Sequence, residues 1–312
     1  MHNAGYRIER LTEERLPDLT RLHEAVYQKN ITPDFFKRKY NTAFTGVMYV
    51  GFLAYDGNRP AAFYGVIPCF IDCKGEKVLA AQSADTMTHP NHRGKGLFIE
   101  LAELTYQLCR NEGIRTLFGF PNQNSLPGFV NKLDWQIGGN MECFIIPVKT
   151  LPLQKLADKF PFLKNLYNGF VKRRLKPYLS PRNGIRNSVI DEGYAGVKRD
   201  PDYVDYKTNY TNSFTIKVDT TLVWFKINDG LFIGDIDLAL NDLDKIIPQL
   251  QKIAGKLGLQ KIIFQADKRT VLYMLLKNHA QPIPSFPTII KNLGADLPVH
   301  KMAFTFADID IF

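Results

Sequence analysis

The chain has 312 residues, 45% of them apolar and 23% charged. This is the profile of a folded globular protein and excludes a disordered, collagenous or coiled-coil chain. At that length there is room for two domains, and folding buries roughly 75% of the surface the unfolded chain exposes, so no disulfide or metal staple is required. The formal charge is +9, from 40 Lys and Arg against 31 Asp and Glu, an excess that suits an anionic ligand, a nucleic acid or an anionic membrane until its location is known.

Cys69, Cys73, Cys109 and Cys143 form no Cys-x-x-Cys pair, and the six histidines have no zinc-ligand spacing, so reduced thiols and no metal are expected. The polar first ten residues lack a signal-peptide pattern, and no apolar stretch approaches the ~20 residues of a membrane span. A cytoplasmic setting is the expectation.

In chain order, 16–28 and 35–43 read as short helices, with Pro33 placed to begin the second. The period then changes. Residues 47–55, 61–71 and 78–88 are apolar extended segments separated by turns, the first of them Asp56-Gly57, and predict a three-strand antiparallel meander. A glycine-rich stretch through Arg93-Gly94-Lys95-Gly96 leads into a helix whose apolar residues, from Leu97 to Cys109, recur at i, i+3 and i+4 on one face. Gly113 is placed to end it. A short buried strand over 116–120, a loop and helix over 122–132, and a strand over 135–148 that completes the sheet should follow.

Residues 149–186 carry ten basic side chains and one acid, Asp158, which leaves 30 against 30 in the rest of the chain. The whole excess lies in this connector. Its apolar positions, Leu153, Leu156, Phe160, Leu163, Leu166, Tyr167, Phe170 and Val171, have lysines between them. Three readings stand side by side: a linker helix with a solvated basic face, a guide for an anionic ligand, and membrane contact through 149–186. No aromatic and basic interleaving typical of a nucleic-acid platform is present, so nucleic acid is disfavoured.

Beyond Asp191 comes a hairpin over 222–236, a helix with apolar positions from Leu243 to Leu257, a strand over 261–265 and a helix over 270–277. The element order of the first part recurs, most visibly where a glycine closes a helix ahead of an apolar strand, at Gly113 and at Gly258.

A glycine-rich loop between a strand and an amphipathic helix lets the backbone approach a ligand, and the orphan N–H groups of the helix's first turn favour an anion such as pyrophosphate. The nucleoside-triphosphatase pattern fails because no Ser or Thr follows Lys95-Gly96, and the dinucleotide pattern fails because an antiparallel meander precedes the loop.

The order meander, Arg-Gly-x-Gly loop, helix, strand, helix resembles the GNAT superfamily of acyl-CoA-dependent N-acetyltransferases. Met87-Thr88-His89-Pro90 and Arg93-Gly94-Lys95-Gly96-Leu97 look like its acetyl-CoA motif, and Asn122-Gln123-Asn124-Ser125 and Lys132-Leu133-Asp134-Trp135 resemble its later segments. The resemblance implies an α/β (α+β) fold with a mixed, largely antiparallel sheet flanked by helices. It divides the chain into a GNAT domain over 1–148, a basic connector over 149–190 and a degenerate GNAT-like unit over 191–312. It implies acetyl-CoA as acyl donor, with the backbone of Arg93, Gly94, Lys95, Gly96, Leu97 and Phe98 on the pyrophosphate. Thr86, Met87 and Thr88, beside Asp85 on the fourth strand, would line the pantetheine arm, with Asn122 or Asn124 also contacting it. The acceptor expected is a primary amine, a small amine, amino sugar or amino-acid derivative by preference. A non-catalytic acyl-CoA-binding protein and a membrane-associated acyltransferase are the alternatives.

Departures from the family pattern bear on the chemistry. Phe98 stands where the loop motif ends in Gly or Ala, and Val130, between Phe129 and Asn131, stands where a tyrosine often protonates the departing thiolate. Attack on a thioester needs a neutral amine and hence a base. Asp85 is the first candidate and His89 the second, with Tyr64 a candidate replacement acid. Ser83 and Ser125 have no His partner in view. In the second unit, residues 237–242 replace the loop without a glycine, so a second CoA site is not expected.

Overall fold

The computed structural model describes residues 5–181, 183–237, 243–295 and 297–312. In chain order the elements are β1 (Arg7–Arg10), α1 (Leu16–Tyr27), α2 (Pro33–Tyr40), β2 (Val50–Asp56), β3 (Arg59–Cys73), β4 (Glu76–Thr88), α3 (Leu97–Asn111), β5 (Thr116–Gly119) and α4 (Leu126–Leu133). They continue through β6 (Gln136–Pro147), α5 (Leu153–Lys159), α6 (Pro161–Leu175), α7 (Ser188–Asp191), β7 (Gly196–Val197), α8 (Pro201–Thr211) and β8 (Phe214–Val218). The last are β9 (Thr221–Ile227), β10 (Leu231–Ile236), α9 (Leu243–Leu257), β11 (Lys261–Asp267), α10 (Val271–Leu276) and β12 (Pro282–Asn292). The fold is mixed α/β with largely antiparallel strands flanked by helices.

The chain forms two compact units, Met1–Gly138 with Pro287–Met302, and Gly139–Phe286 with Ala303–Phe312. In the first, β1, β2, β3 and β4 pair in antiparallel succession, β4 pairs β5 in parallel, and β5 pairs residues 289–292 of β12 antiparallel. Local chemistry sets the corners. Gly57 (φ 58°) turns β2 into β3, and Lys74-Gly75 (φ 54° and 88°) turns β3 into β4, with the Gly75 N–H donating to Asp72 Oδ1 at 2.8 Å. Helix α3 buries Leu97, Leu101, Ala102, Tyr106 and Cys109 against Ala62, Tyr64, Val66 and Leu117, and Gly113 (φ 79°) lets the chain leave it.

The second unit repeats the pattern. β8, β9 and β10 form an antiparallel meander, β10 pairs β11 in parallel, and β11 pairs residues 141–147 of β6 antiparallel. Helix α9 supplies the buried face read from the sequence, Leu243, Ile246, Ile247, Leu250, Ile253, Ala254 and Leu257, and carries Pro248 inside it. Two expectations are corrected. The strand that follows α4 does not complete the first sheet: residues 141–147 pair with β11, and 289–292 take the expected place beside β5. The basic connector is not a separate segment but two helices of the second unit, with Val171 and Leu175 of α6 buried in the cluster that holds Leu250 and Leu257.

Candidate active site

Strands β4 and β5 are in register only over 80–82 against 116–118. β5 stops at Gly119, while β4 goes on to Thr88, still paired with β3. Backbone donors and acceptors demand partners, and among the described residues no β-ladder continues along 83–88 on the β5 side. This opening is sharpened by a bulge. Phe63 opposes Met87 and Gly65 opposes Ala84, so Tyr64 alone faces Asp85 and Thr86. Asp85 takes φ of 48°, a left-handed geometry that costs a non-glycine residue about 1–3 kcal/mol and persists only where surroundings enforce it.

The enforcing groups come from α2. Asp85 Oδ2 accepts from Tyr40 Oη at 2.8 Å and pairs with Lys39 Nζ at 2.8 Å. Tyr40 is fully buried and Lys39 nearly so. A carboxylate placed on a strained residue and held by a buried ammonium and a buried hydroxyl is a built feature, and sequence reasoning had Asp85 without these two partners. Nothing in the sequence pairs α2 with a residue 45 positions away.

The glycine loop begins where β4 ends. Residues 93–96 are exposed, Gly94 and Gly96 take φ of 74° and 77°, and a side chain added at Gly94 would meet nothing within 4 Å. Gly96 caps α3, and the first N–H of the helix to bond back is that of Ile99, to Gly96 O at 3.1 Å. The N–H groups ahead of it point out of the helix start with the positive end of its dipole, the arrangement that receives a phosphate oxygen. His89 caps the short turn between β4 and this loop, its Nδ1 accepting from the Asn91 N–H at 3.2 Å. His92 is hydrogen-bonded with Tyr6 Oη at 2.8 Å, and burial together with Lys95 lowers its pKa.

Other expected residues fall elsewhere. Tyr64 is fully buried, hydrogen-bonded with Ser83 Oγ at 2.8 Å and 3.4 Å from Tyr106 Oη. Burial pushes its hydroxyl well above the usual phenol range, which suits packing and works against proton delivery. Asn122 and Asn124 are exposed at the start of α4, where Asn122 Oδ1 accepts from the N–H groups of Asn124 and Ser125 at 3.0 Å each; the Asn122 side-chain amide oxygen thus shapes the turn. Phe98 does crowd the helix start, and α4 yields to it: a Cβ on Gly128 would lie 2.7 Å from Phe98 Cε1. The Phe98 ring meets Phe129 edge-on at 5.2 Å. Among the described residues no group of three or more His, Cys, Asp or Glu could hold a metal.

The equivalent place in the second unit is filled. β10 and β11 pair over 231–233 against 262–264 and then part, with a bulge at Gly234 between the pairs Ile233–Phe225 and Asp235–Trp224. Residues 303–312 enter the gap. Thr305 bridges Ala266 on β11, Phe306 lies 5.8 Å from Phe232 on β10, and Phe312 packs on Gly234 so closely that a Cβ there would run into its ring. Arg199 ties the segment down. Its guanidinium pairs with Asp235, donates to Thr305 Oγ1 at 2.7 Å and pairs with Asp308 at 2.8 Å, all without exposed side-chain surface on the three charged residues. Of the loop read as glycine-free, 238–242 lie outside the described residues.

Comparison with known proteins agrees with this geometry. The acetyltransferase (GNAT) domain family matches residues 7–138. No curated protein matches the sequence. Among solved structures, a GCN5-related N-acetyltransferase from Kribbella flavida aligns over 92% of this chain and 72% of its own, with TM-score 0.57 and 12% identity. A conserved protein of unknown function from Enterococcus faecalis, described as a probable N-acyltransferase, aligns over 92% and 73%, with TM-score 0.59 and 12% identity. An acetyltransferase candidate from Pyrococcus horikoshii aligns over 99% and 96%, with TM-score 0.61 and 11% identity. At such identities the structures speak for the fold alone, and the match to the acetyltransferase (GNAT) domain family is confined to residues 7–138, the part of the chain that holds the strand opening and the glycine loop.

Proposed function

We propose that the first unit transfers an acetyl group from acetyl-CoA to the primary amine of a small acceptor, and that the second unit is a degenerate copy without a CoA site. The observation that carries the reading is the contrast between two like openings. Beside β10 the gap is closed by residues 303–312, whereas beside 83–88 of β4 no described strand closes it and the opening leads to the exposed glycines of the loop.

In this reading the N–H groups from Arg93 to Phe98 take the pyrophosphate, and the free edge of Asp85, Thr86, Met87 and Thr88 pairs with the extended amide arm. A backbone N–H beside the bulge polarises the thioester carbonyl, an oxyanion-type role. The neutral amine attacks the carbonyl carbon, the tetrahedral adduct collapses, the C–S bond breaks, and the CoA thiolate leaves with no covalent enzyme intermediate. The proton lost by the amine goes to Asp85 directly or through one water. Its Oδ2 is engaged by Lys39 and Tyr40, which leaves Oδ1 for the acceptor. Val130 brings no acid to the thiolate, which takes its proton from water.

Calorimetry with CoA and acetyl-CoA tests the site, and thioester cleavage over a panel of amines tests the reaction. Gly94→Glu with Gly96→Glu places two carboxylates where phosphate oxygens must sit, and binding should vanish. Equal affinity in that variant would remove the phosphate loop, and tight CoA binding with no turnover on any amine would favour a binding protein over an enzyme.

A further inference from the structure

We propose that the α5–α6 hairpin of the second unit is a docking surface for an anionic lipid membrane. Helix α6 turns its inner face to the unit's core, with Val171 and Leu175 buried and Tyr167 Oη donating to Leu257 O at 2.9 Å. The opposite face carries Phe162 and Leu166, one turn apart and 71% and 68% exposed. Leu151 is 74% exposed, and Leu156 and Phe160 are exposed as well, with the Phe160 and Phe162 rings 6.0 Å apart. Single exposed leucines are ordinary on a protein surface, but five large apolar side chains within sixteen residues mark an interaction site.

Charge selects the occupant. Lys149, Lys155, Lys159, Lys164, Lys172, Arg173, Arg174 and Lys176 lie in the same segment with Asp158 as the one acid. All eight of these basic residues are exposed, as the long side chains of an interfacial helix must be. A second copy of this chain would bring like charges face to face. Anionic headgroups meet the lysines while the acyl boundary receives Phe162, Leu166 and Leu151, the division of labour of a helix that lies on a bilayer. No helix among the described residues is long and apolar enough to cross one.

The test uses the full chain and sucrose-loaded vesicles of phosphatidylcholine with or without phosphatidylglycerol, and it needs no CoA, so its failure leaves the acetyl-transfer reading untouched. The chain should sediment with the anionic vesicles at low salt and lose most of that binding with neutral vesicles or high salt. Phe162→Ser with Leu166→Ser should lower the partition constant about tenfold or more, as should Lys155→Ser with Lys159→Ser and Lys164→Ser. Because these side chains are exposed, melting temperatures should stay at the parental value. Absence of wild-type sedimentation, equal sedimentation by the apolar variant, or a concentration-dependent dimer in solution that the apolar variant abolishes would overturn the proposal.

Discussion

The packing of Phe98 on Gly128 permits a prediction in which both sign and size are set by geometry. In the parent, a Cβ at position 128 lies 2.7 Å from Phe98 Cε1, about 1 Å inside ordinary carbon contact. The ring has little room to withdraw, with Phe129 at 5.2 Å and Tyr64 at 6.1 Å. Overpacking of this kind costs about 1–3 kcal/mol, against a gain of up to about 1 kcal/mol from replacing glycine by alanine in a helix. Gly128→Ala should therefore destabilise the first unit by about 0–3 kcal/mol. Phe98→Ala alone should cost about 2–3 kcal/mol for a half-buried phenyl ring. In the Phe98→Ala background the clash is gone and only the helix gain remains, so Gly128→Ala should stabilise by up to about 1 kcal/mol. The assay is urea denaturation of the four proteins, each carrying Trp224→Phe so that Trp135, 5.1 Å from Phe129 and in the same unit, reports alone. Additive effects, or Gly128→Ala destabilising equally in both backgrounds, would refute the idea that residue 128 is glycine because residue 98 is phenylalanine. Phe98→Ala also places a small residue behind the glycine loop, and in the proposed reading CoA affinity should be kept.

Three further outcomes follow from the charged groups. Asp85→Asn should lower kcat on the best amine by about a hundredfold or more while leaving the CoA dissociation constant unchanged; an unaltered rate across pH would remove Asp85 as base. Arg199→Met leaves Asp235 and Asp308 buried without their cation, so the second unit, followed by Trp224, should lose about 3–5 kcal/mol. Adding Asp235→Asn and Asp308→Asn should recover much of it, and no recovery would place the loss in packing. Lys226 sits against Phe312 and donates to the Ile311 carbonyl, and burial lowers its pKa to about 8. Between pH 8 and its unfolded value near 10.5 the unfolded chain holds the proton that the folded chain has lost, so stability of the second unit should rise with pH through that window. Lys226→Met should flatten the rise in pH-dependent unfolding read at Trp224.

Local patterning made most elements legible. The i, i+3, i+4 face of α3 and that of α9, the Asp56-Gly57 turn and the Gly113 helix stop are each set by near neighbours, and the structure places them where the pattern does. Strand exchange was not legible. Residues 141–147 are apolar enough for either sheet, and whether they pair with β5 or β11 depends on partners more than a hundred residues away, which no local signal encodes. The same holds for Asp85: its place on the strand could be read, but the buried Lys39 and Tyr40 that hold it arrive through tertiary packing of α2. For residues 303–312 the apolar signal of Phe304, Phe306 and Phe312 was present, yet its destination beside Gly234 was not.

The two openings make the logic of the fold explicit. A bulge followed by a parting of parallel strands exposes backbone groups in the middle of a sheet, and such groups must be satisfied. In the second unit the solution is internal, with Thr305 bridging Ala266, Phe312 filling the space over Gly234 and Arg199 binding Asp235 to Asp308. That solution leaves no room for an extended ligand beside Ala266 and Gly234, where Thr305 and Phe312 already lie. In the first unit the bulge is held instead from α2, through Lys39 and Tyr40 on Asp85, which fixes the strand without filling the gap. Holding the bulge by a side chain keeps the opening for a substrate, whereas holding it by a chain segment removes that possibility. In the proposed reading, exchange of these two devices is what would suit the first unit and not the second to acetyl-CoA, on the same topology.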